Sequence, residues 1–372
     1  MFISNIKIDG FKNLSSIDIK ADKRINVICG DNAQGKTNLI EAIWLCSGLK
    51  SFRNSKDKDL INLNEQSFHI ELSFENNFRN QKIEYNLAKL NLKDKQIKLN
   101  GVPLKNHSDL FGNLNCVIFT PEDLSLSKGS PENRRKFLDI CASQIKNSYR
   151  KVLNKYDEIL IQRNFLLKNI NLGKSTVEEL DVWDEQLSRL GSYISVLRYT
   201  YTKKLNIFAG RLYDEISQGK EKLEVLYESS VFKNLENRTD YNGEMADEYL
   251  EKLKKSRQED LKIGFTSIGV QRDDLISNIN GLNCREFGSQ GQCRSVALIF
   301  KIAQAYILFE ETKESPCILL DDVLSELDNK RQDFVLSRIS DMQIFITCCE
   351  DINLNKNIGK TFYINDGKVI NK

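Results

Sequence analysis

An excess of charge of either sign is missing from this sequence. Its 372 residues carry 54 Lys and Arg against 52 Asp and Glu, so no global positive field draws it onto nucleic acid, and such contact needs a local patch. Histidine is scarce, with only His69 and His107, and none of the nine cysteines forms a Cys-x-x-Cys pair. That spacing argues against a zinc site. The cysteine count is odd, and Cys29, Cys116, Cys317 and Cys348 sit within or beside apolar strand-like runs, which predicts buried thiols in a reducing compartment. Long hydrophobic runs are also missing: the longest, Ser295 to Phe309, is interrupted by Lys301 and Gln304 and is too short for a bilayer. Met1 to Asn5 reads as the start of a strand, without a charged and then apolar leader. Together these absences predict a soluble, cytoplasmic protein with no membrane contact. The length predicts two domains, or one large domain with an insertion.

What is present begins with Gly30-Asp31-Asn32-Ala33-Gln34-Gly35-Lys36-Thr37, which fits G-x-x-x-x-G-K-[ST]. An apolar strand, Ile25 to Cys29, precedes it, and an amphipathic helix bearing Leu39, Ile40, Ile43 and Trp44 follows. Gly30 and Gly35 let the loop turn so that successive N–H groups face an anion. Lys36 then reaches the β- and γ-phosphates, Thr37 offers its hydroxyl to Mg²⁺, and the helix adds the positive end of its dipole. A nucleoside triphosphate is the expected ligand, with ATP and Mg²⁺ as cofactors.

Along the chain, Phe2 to Ile8 and Ile17 to Ile19 alternate as an antiparallel pair around Phe11-Lys12-Asn13, an ordinary turn. Ser51 to Asn64 is polar and expected to be mobile. His69 to Phe74, Lys82 to Leu87 and Gln96 to Leu99, closed by Asn100-Gly101, predict hairpins beside the nucleotide-binding sheet. Cys116 to Phe119 is a buried-type strand, and Pro131 opens a helix carrying Arg134, Arg135 and Lys136. A solvated face is the ordinary reading of that basic run, with phosphate contact as the alternative. From Tyr149 to Ile216 proline is absent and Trp183, Leu187, Leu190, Ile194, Leu197, Tyr201, Leu205, Phe208, Leu212 and Ile216 recur by threes and fours. A shorter seam (Val152, Tyr156, Ile159, Leu166, Ile170) precedes it, and Thr176 with Glu179 makes a capping box between the two. This predicts an antiparallel helical arm. Leu223 to Tyr227 reads as a strand and Asp247 to Arg257 as a short charged helix.

Cys317-Ile318-Leu319-Leu320-Asp321-Asp322 is an apolar strand ending in two carboxylates. Asp321 suits the Mg²⁺ shell and Asp322 the attacking water, their side chains alternating along the strand. Upstream, Ser289, Gly291 and Gln292 open a second helix able to receive an anion. One nucleotide needs one phosphate loop, so this second element is expected to complete the pocket of another subunit.

These motifs resemble the ABC-type ATPases, whose Leu-Ser-Gly-Gly-Gln signature occupies the place of Ser289-Gln290-Gly291-Gln292. Their order resembles the structural-maintenance-of-chromosomes branch. Gly30 to Asn38, Phe119 to Leu124, Pro131 to Arg135 and Leu320 to Asp328 are similar to the RecF family of bacterial recombination mediators, a resemblance over essentially the whole chain.

The fold implied is α/β: an ABC-type P-loop ATPase head, a mixed sheet with an antiparallel β subdomain, interrupted by an inserted antiparallel helical arm. Residues 1–145 and 261–372 form the head and 146–260 the arm. The resemblance implies a weak, DNA-stimulated ATPase that dimerises with ATP, binds single-stranded and gapped duplex DNA, helps recombinase loading, and acts with RecO and RecR. Lys36, Asp322, Ser289, Gly291 and Gln292 are the residues it implies for catalysis. The departures are Lys12 where Arg is common, Cys293 where a second Gln is usual, and Val270-Gln271 where Pro-His precedes Arg272-Asp273-Asp274. Thr347 stands where transporter ATPases carry a switch His, so a γ-phosphate sensor there must be a hydroxyl. A transporter subunit lacks such an arm and keeps that His, and too few residues follow Asp321 for an added nuclease domain. A clamp that binds ATP without turnover stays open, because Asp322 replaces the Glu usual in transporters and a misplaced water is costly.

Overall fold

Alternation of apolar and polar residues builds the first sheet. The computed structural model describes residues 1–236, 238, 241–349 and 359–370, and the side chains of all of these except 93 and 94. β1 (Phe2–Phe11) buries Ile3, Ile6 and Ile8 and pairs antiparallel with β2 (Leu14–Lys20), Ile6 against Ile19 and Ile8 against Ile17. β3 (Ile25–Cys29) leads into α1 (Lys36–Cys46). β4 (Ser67–Glu75), β5 (Asn80–Ala88), β6 (Asn91–Leu99) and β7 (Val102–Pro103) continue antiparallel from β1. Asn100 and Gly101 make the last tight turn with positive φ at both, 53° and 81°.

β8 (Cys116–Phe119), β12 (Cys317–Leu320) and β13 (Ile344–Cys348) are buried at every residue, as parallel strands covered on both faces must be. With β14 (Gly359–Asn365) and β15 (Lys368–Ile370) they complete one twelve-stranded sheet, β7-β6-β5-β4-β1-β2-β15-β14-β3-β13-β12-β8. The antiparallel strands expected beside the nucleotide-binding sheet are therefore its direct continuation. The β8, β12, β13, β3 and β14 portion is parallel, so loops after its strands gather at one edge, where ligands bind in such sheets.

Ser51 to Asn64, expected to be mobile, is held against β1. Leu60 and Ile61 are buried, Lys12 N–H donates to Leu60 O at 2.9 Å, and Asn62 N–H to Gly10 O at 2.8 Å. Two buried apolar residues anchor its second half, and the buried Ser51 its start.

The chain divides into two compact units, Met1–Ser125 with Ala297–Lys372, and Leu126–Val296. The span 146–260 read as the arm lies inside the second. There α2 (Pro131–Ile145), α3 (Asn147–Asn171), α4 (Leu180–Ser217) and α5 (Gly243–Ile263) pack beside β9 (Leu223–Glu228), β10 (Asp274–Ile279) and β11 (Leu282–Asn283). Short α6 (Cys284–Phe287) precedes α7 (Gln290–Thr312). Tyr149 meets Arg198 and Arg163 meets Asp184, so α3 and α4 run antiparallel. Thr176 and Glu179 form the capping box between them. α5 is longer than Asp247 to Arg257, since Asn242 caps its start by accepting from Met245 N–H and left-handed Gly264 ends it. Among the described residues no helix is long and apolar enough to cross a membrane.

Candidate nucleotide-binding site

The loop between β3 and α1 can exist only with glycine at two points. A Cβ on Gly30 would stand 2.4 Å from Ile364 O, and one on Gly35, at φ 114°, 2.6 Å from Leu14 Cδ2 and 2.8 Å from Asn13 Oδ1. Lys36 is buried, and its Nζ donates to Gly30 O at 2.6 Å and Asp31 O at 3.0 Å, with Cys349 Sγ at 3.6 Å. The ammonium thus lies over the loop's own carbonyls. Asp31, Asn32 and Ala33 are exposed and Gln34 half-buried, the backbone of a cradle open on one side. No acidic residue of α1 itself stands in its first turn, which leaves the positive end of the helix dipole for groups brought to it from outside.

Thr37 Oγ1 donates to Asp321 Oδ1 at 2.9 Å, and Thr347 Oγ1 lies 3.1 Å from the same oxygen. Burial pushes the Asp321 carboxyl above its usual range, the two hydroxyls pull it down, and the charge of Asp322 pushes it up again. A hydroxyl and a carboxylate held together, both hard oxygen donors, fit Mg²⁺ better than any softer metal. β12 ends at Leu320, so the two aspartates lie beyond the strand and do not diverge by strand alternation. Asp322 takes a left-handed φ of 54° instead, its N–H donating to Thr347 Oγ1 at 2.8 Å and its carbonyl accepting from Ser325 Oγ at 2.7 Å. Its side chain is exposed. The Thr347 hydroxyl, read as the alternative to a switch His, is here occupied with both aspartates.

Sequence reasoning overlooked the support beneath this loop. The turn at Phe11-Lys12-Asn13 carries Asn13, whose Nδ2 donates to Ala33 O at 2.8 Å and whose Oδ1 accepts from Asn38 Nδ2 at 2.7 Å. Lys12, left-handed at φ 50°, donates to buried Glu41 at 2.5 Å and to Ser55 Oγ at 2.9 Å, and Ser51 donates to the same carboxylate. A lone Glu inside the apolar helix α1 was the available signal, because a buried carboxylate demands a partner.

The signature residues lie in the other unit. Ser289 Oγ accepts from Gln292 N–H at 3.2 Å and Gln292 Oε1 accepts from Ser289 N–H at 2.8 Å, a reciprocal box at the start of α7. Ser289 is exposed and Gly291 and Gln292 are half-buried. Cys293 fills its place as a buried thiol, 3.3 Å from Cys284 Sγ.

Of the basic run, Arg134 is buried, Arg135 half-buried and Lys136 exposed, so only the last keeps the solvated face. Arg134 is 2% exposed and grips Asp274 with two bonds of 2.7 and 2.6 Å, while Arg135 donates to Asp273 O at 2.8 Å. Asp273, itself buried, accepts from Tyr227 and Ser230. Gln271 accepts from Tyr156 at 2.6 Å and donates to Ile268 O. Arg134, Arg135, Asp273 and Asp274 therefore hold one another, which is why these two arginines are turned inward.

A parallel sheet carrying a glycine loop, a threonine and two aspartates at one edge, with a capped signature helix, defines an ABC-type ATPase head. The RecF/RecN/SMC N terminal domain family matches residues 2–366. Within that class the chain belongs to the RecF family of DNA replication and repair proteins. The DNA replication and repair protein RecF of Acetivibrio thermocellus is 40% identical over 98% of each chain, and that of Clostridium kluyveri is 41% identical over 99% of each. A solved structure of the recombination mediator protein RecF-ATPrS in the RecFOR pathway superposes with a TM-score of 0.92 at 36% identity, covering 99% of this chain and 97% of that one. An Smc head domain from Pyrococcus furiosus, at 18% identity and a TM-score of 0.55 over 99% of this chain and 96% of that one, shares the fold alone.

Proposed function

We propose that this chain is an ATP-gated DNA-binding protein of recombinational repair and replication, cytoplasmic, dimeric with ATP, and acting at single-stranded and gapped duplex DNA to help recombinase load. The observation that carries this reading is a glycine loop ahead of α1 and a reciprocal Ser289–Gln292 box ahead of α7 in one chain, two places suited to receive an anion. A nucleotide needs only one phosphate loop, so the signature is assigned to the nucleotide of a second copy. Relatives named as DNA replication and repair proteins, and as recombination mediators of the RecFOR pathway, support DNA as ligand and RecO and RecR as partners.

In this reading the N–H groups of Gly30 to Thr37 cradle the phosphates, and Lys36 exchanges the carbonyls of Gly30 and Asp31 for phosphate oxygens. Thr37 and Asp321 hold Mg²⁺, which when bound offsets the charge that develops on the transferred phosphoryl group. Asp322 orients water against the γ-phosphate, and slow hydrolysis releases DNA. Ser289, Gly291 and Gln292 receive the γ-phosphate in trans. Sedimentation of the chain with and without ATP, alone and with gapped duplex DNA, tests the proposal. A monomer under every condition, or DNA binding indifferent to ATP, would sink it.

A further inference from the structure

Gln292 does more than close the box with Ser289. Its Oε1 is committed to Ser289 N–H, and its Nε2 donates to Glu221 Oε1 at 2.7 Å. The other oxygen of Glu221 accepts from Tyr213 O–H at 2.7 Å, and its carbonyl accepts from Ser217 Oγ at 3.2 Å. Tyr213 is buried in the last turns of α4, 38 residues long. Burial first, then the neighbouring carboxylate, push its phenol far above the usual range, so it stays a donor.

A carboxylate beside an anion-receiving loop is electrostatically unfavourable, and an amide has two ends that can exchange. An ionised carboxylate only accepts, so Glu221 dictates which end of Gln292 faces it. The opposite end, the acceptor, is thereby fixed toward Ser289. Without Glu221 the amide is free to turn over, and the half of the box that holds Ser289 N–H opens, leaving the Ser289 hydroxyl with the Gln292 backbone N–H alone.

We propose that Glu221 is a positioning residue for the signature: anchored by Tyr213 at the end of α4, it orients Gln292 and through it the Ser289 hydroxyl that meets the second copy's nucleotide. The inference rests on the trans reading of the signature. It also gives α4 a direct line to Ser289, so a load that shifts the end of that helix shifts the hydroxyl.

The test uses the full chain with Glu221→Ala, Glu221→Gln and Tyr213→Phe, and two readouts. Amide hydrogen exchange without nucleotide should quicken about tenfold at Ser289 and Gln292 in Glu221→Ala, the loss of one charge-assisted bond. Glu221→Gln can still accept from Gln292 and should stay within about threefold of the parent chain, whereas Tyr213→Phe should fall between the two. ATP-dependent self-association should weaken roughly tenfold or more in Glu221→Ala, while ATP affinity measured below the association concentration is unchanged. Unaltered exchange in Glu221→Ala overturns the proposal, as does faster exchange with undiminished association. Should Glu221→Ala fail to fold, Tyr213→Phe carries the same decision on both readouts. A parent chain that does not associate with ATP instead defeats the trans reading, and the exchange result still decides whether Glu221 orders the loop.

Discussion

At Asp322 the backbone adopts a conformation that L residues use sparingly, costing about 1 kcal/mol or more, though Asp tolerates it better than most. The bonds from its N–H to Thr347 and from Ser325 to its carbonyl hold that turn. Its effect is to separate two adjacent carboxylates, Asp321 turned inward to Thr37 and Asp322 outward. Asp322→Asn keeps size and most hydrogen bonding, so ATP binding and the dimer should persist while turnover falls about 10²- to 10⁴-fold and DNA is held longer. Asp321→Asn should lose Mg²⁺-dependent ATP affinity as well. Dimer lifetime and DNA retention, measured on both variants side by side, decide the division: equal loss of nucleotide binding would refute it. Lys36→Met removes the ammonium without adding bulk. It should weaken ATP binding by about 1.5–3 kcal/mol, ten- to hundredfold in Kd, with an unchanged circular dichroism spectrum. Tight ATP binding by that variant would mean that the loop has been misread.

Among the elements, α3, α4 and α5 are joined by charge as well as by apolar seams. Arg163, fully buried, donates to Asp184 at 2.6 Å, to Asp260 at 2.7 Å and to Thr266 at 2.8 Å, one guanidinium tying three helices. Arg163→Met would leave Asp260 without its cation, and Asp184 with Arg257 alone. A destabilisation of about 3–5 kcal/mol is expected, visible as faster hydrogen exchange across α3 to α5; a change below about 1 kcal/mol would show the cluster to be dispensable. None of this was legible beforehand. Arg163 and Asp260 are 97 residues apart, and inside a charged helix a buried arginine has the same spelling as a solvated one. The same limit hid Arg134, whose partner Asp274 lies 140 residues on. The glycine loop between β3 and α1, the strand before Asp321 and the helical seams were readable because their geometry is local and periodic. β14 and β15 were not: mostly exposed on short strands, they have little alternation to betray them. Asp322 shows the intermediate case, a residue found by motif whose direction was attributed to strand alternation and is set by a left-handed turn.

For the molecule as a whole, the proposed division of nucleotide contacts between two copies would make stability depend on concentration in a particular way. A ligand that binds only the folded chain raises its stability by RT ln(1 + [L]/Kd), about 2.7 kcal/mol at a hundredfold excess over Kd. If ATP also joins two copies, dimerisation adds a second increment that grows with protein concentration. Ser289→Arg places a long cation where the small hydroxyl caps α7 and should block approach of the second copy while leaving Lys36, Thr37 and Asp321 untouched. Its Tm should therefore rise with ATP, yet by the same amount at low and high protein concentration. In the parent chain the rise should increase with concentration, and sedimentation should show the heavier species only with ATP. The arginine is also a cation beside a phosphate, so Ser289→Ala, which removes the hydroxyl without blocking, serves as the second variant, with weakened association at unchanged ATP affinity. Concentration-dependent stabilisation of Ser289→Arg equal to that of the parent would mean that the signature takes no part in joining the copies, and a monomeric ATPase would then describe the chain better.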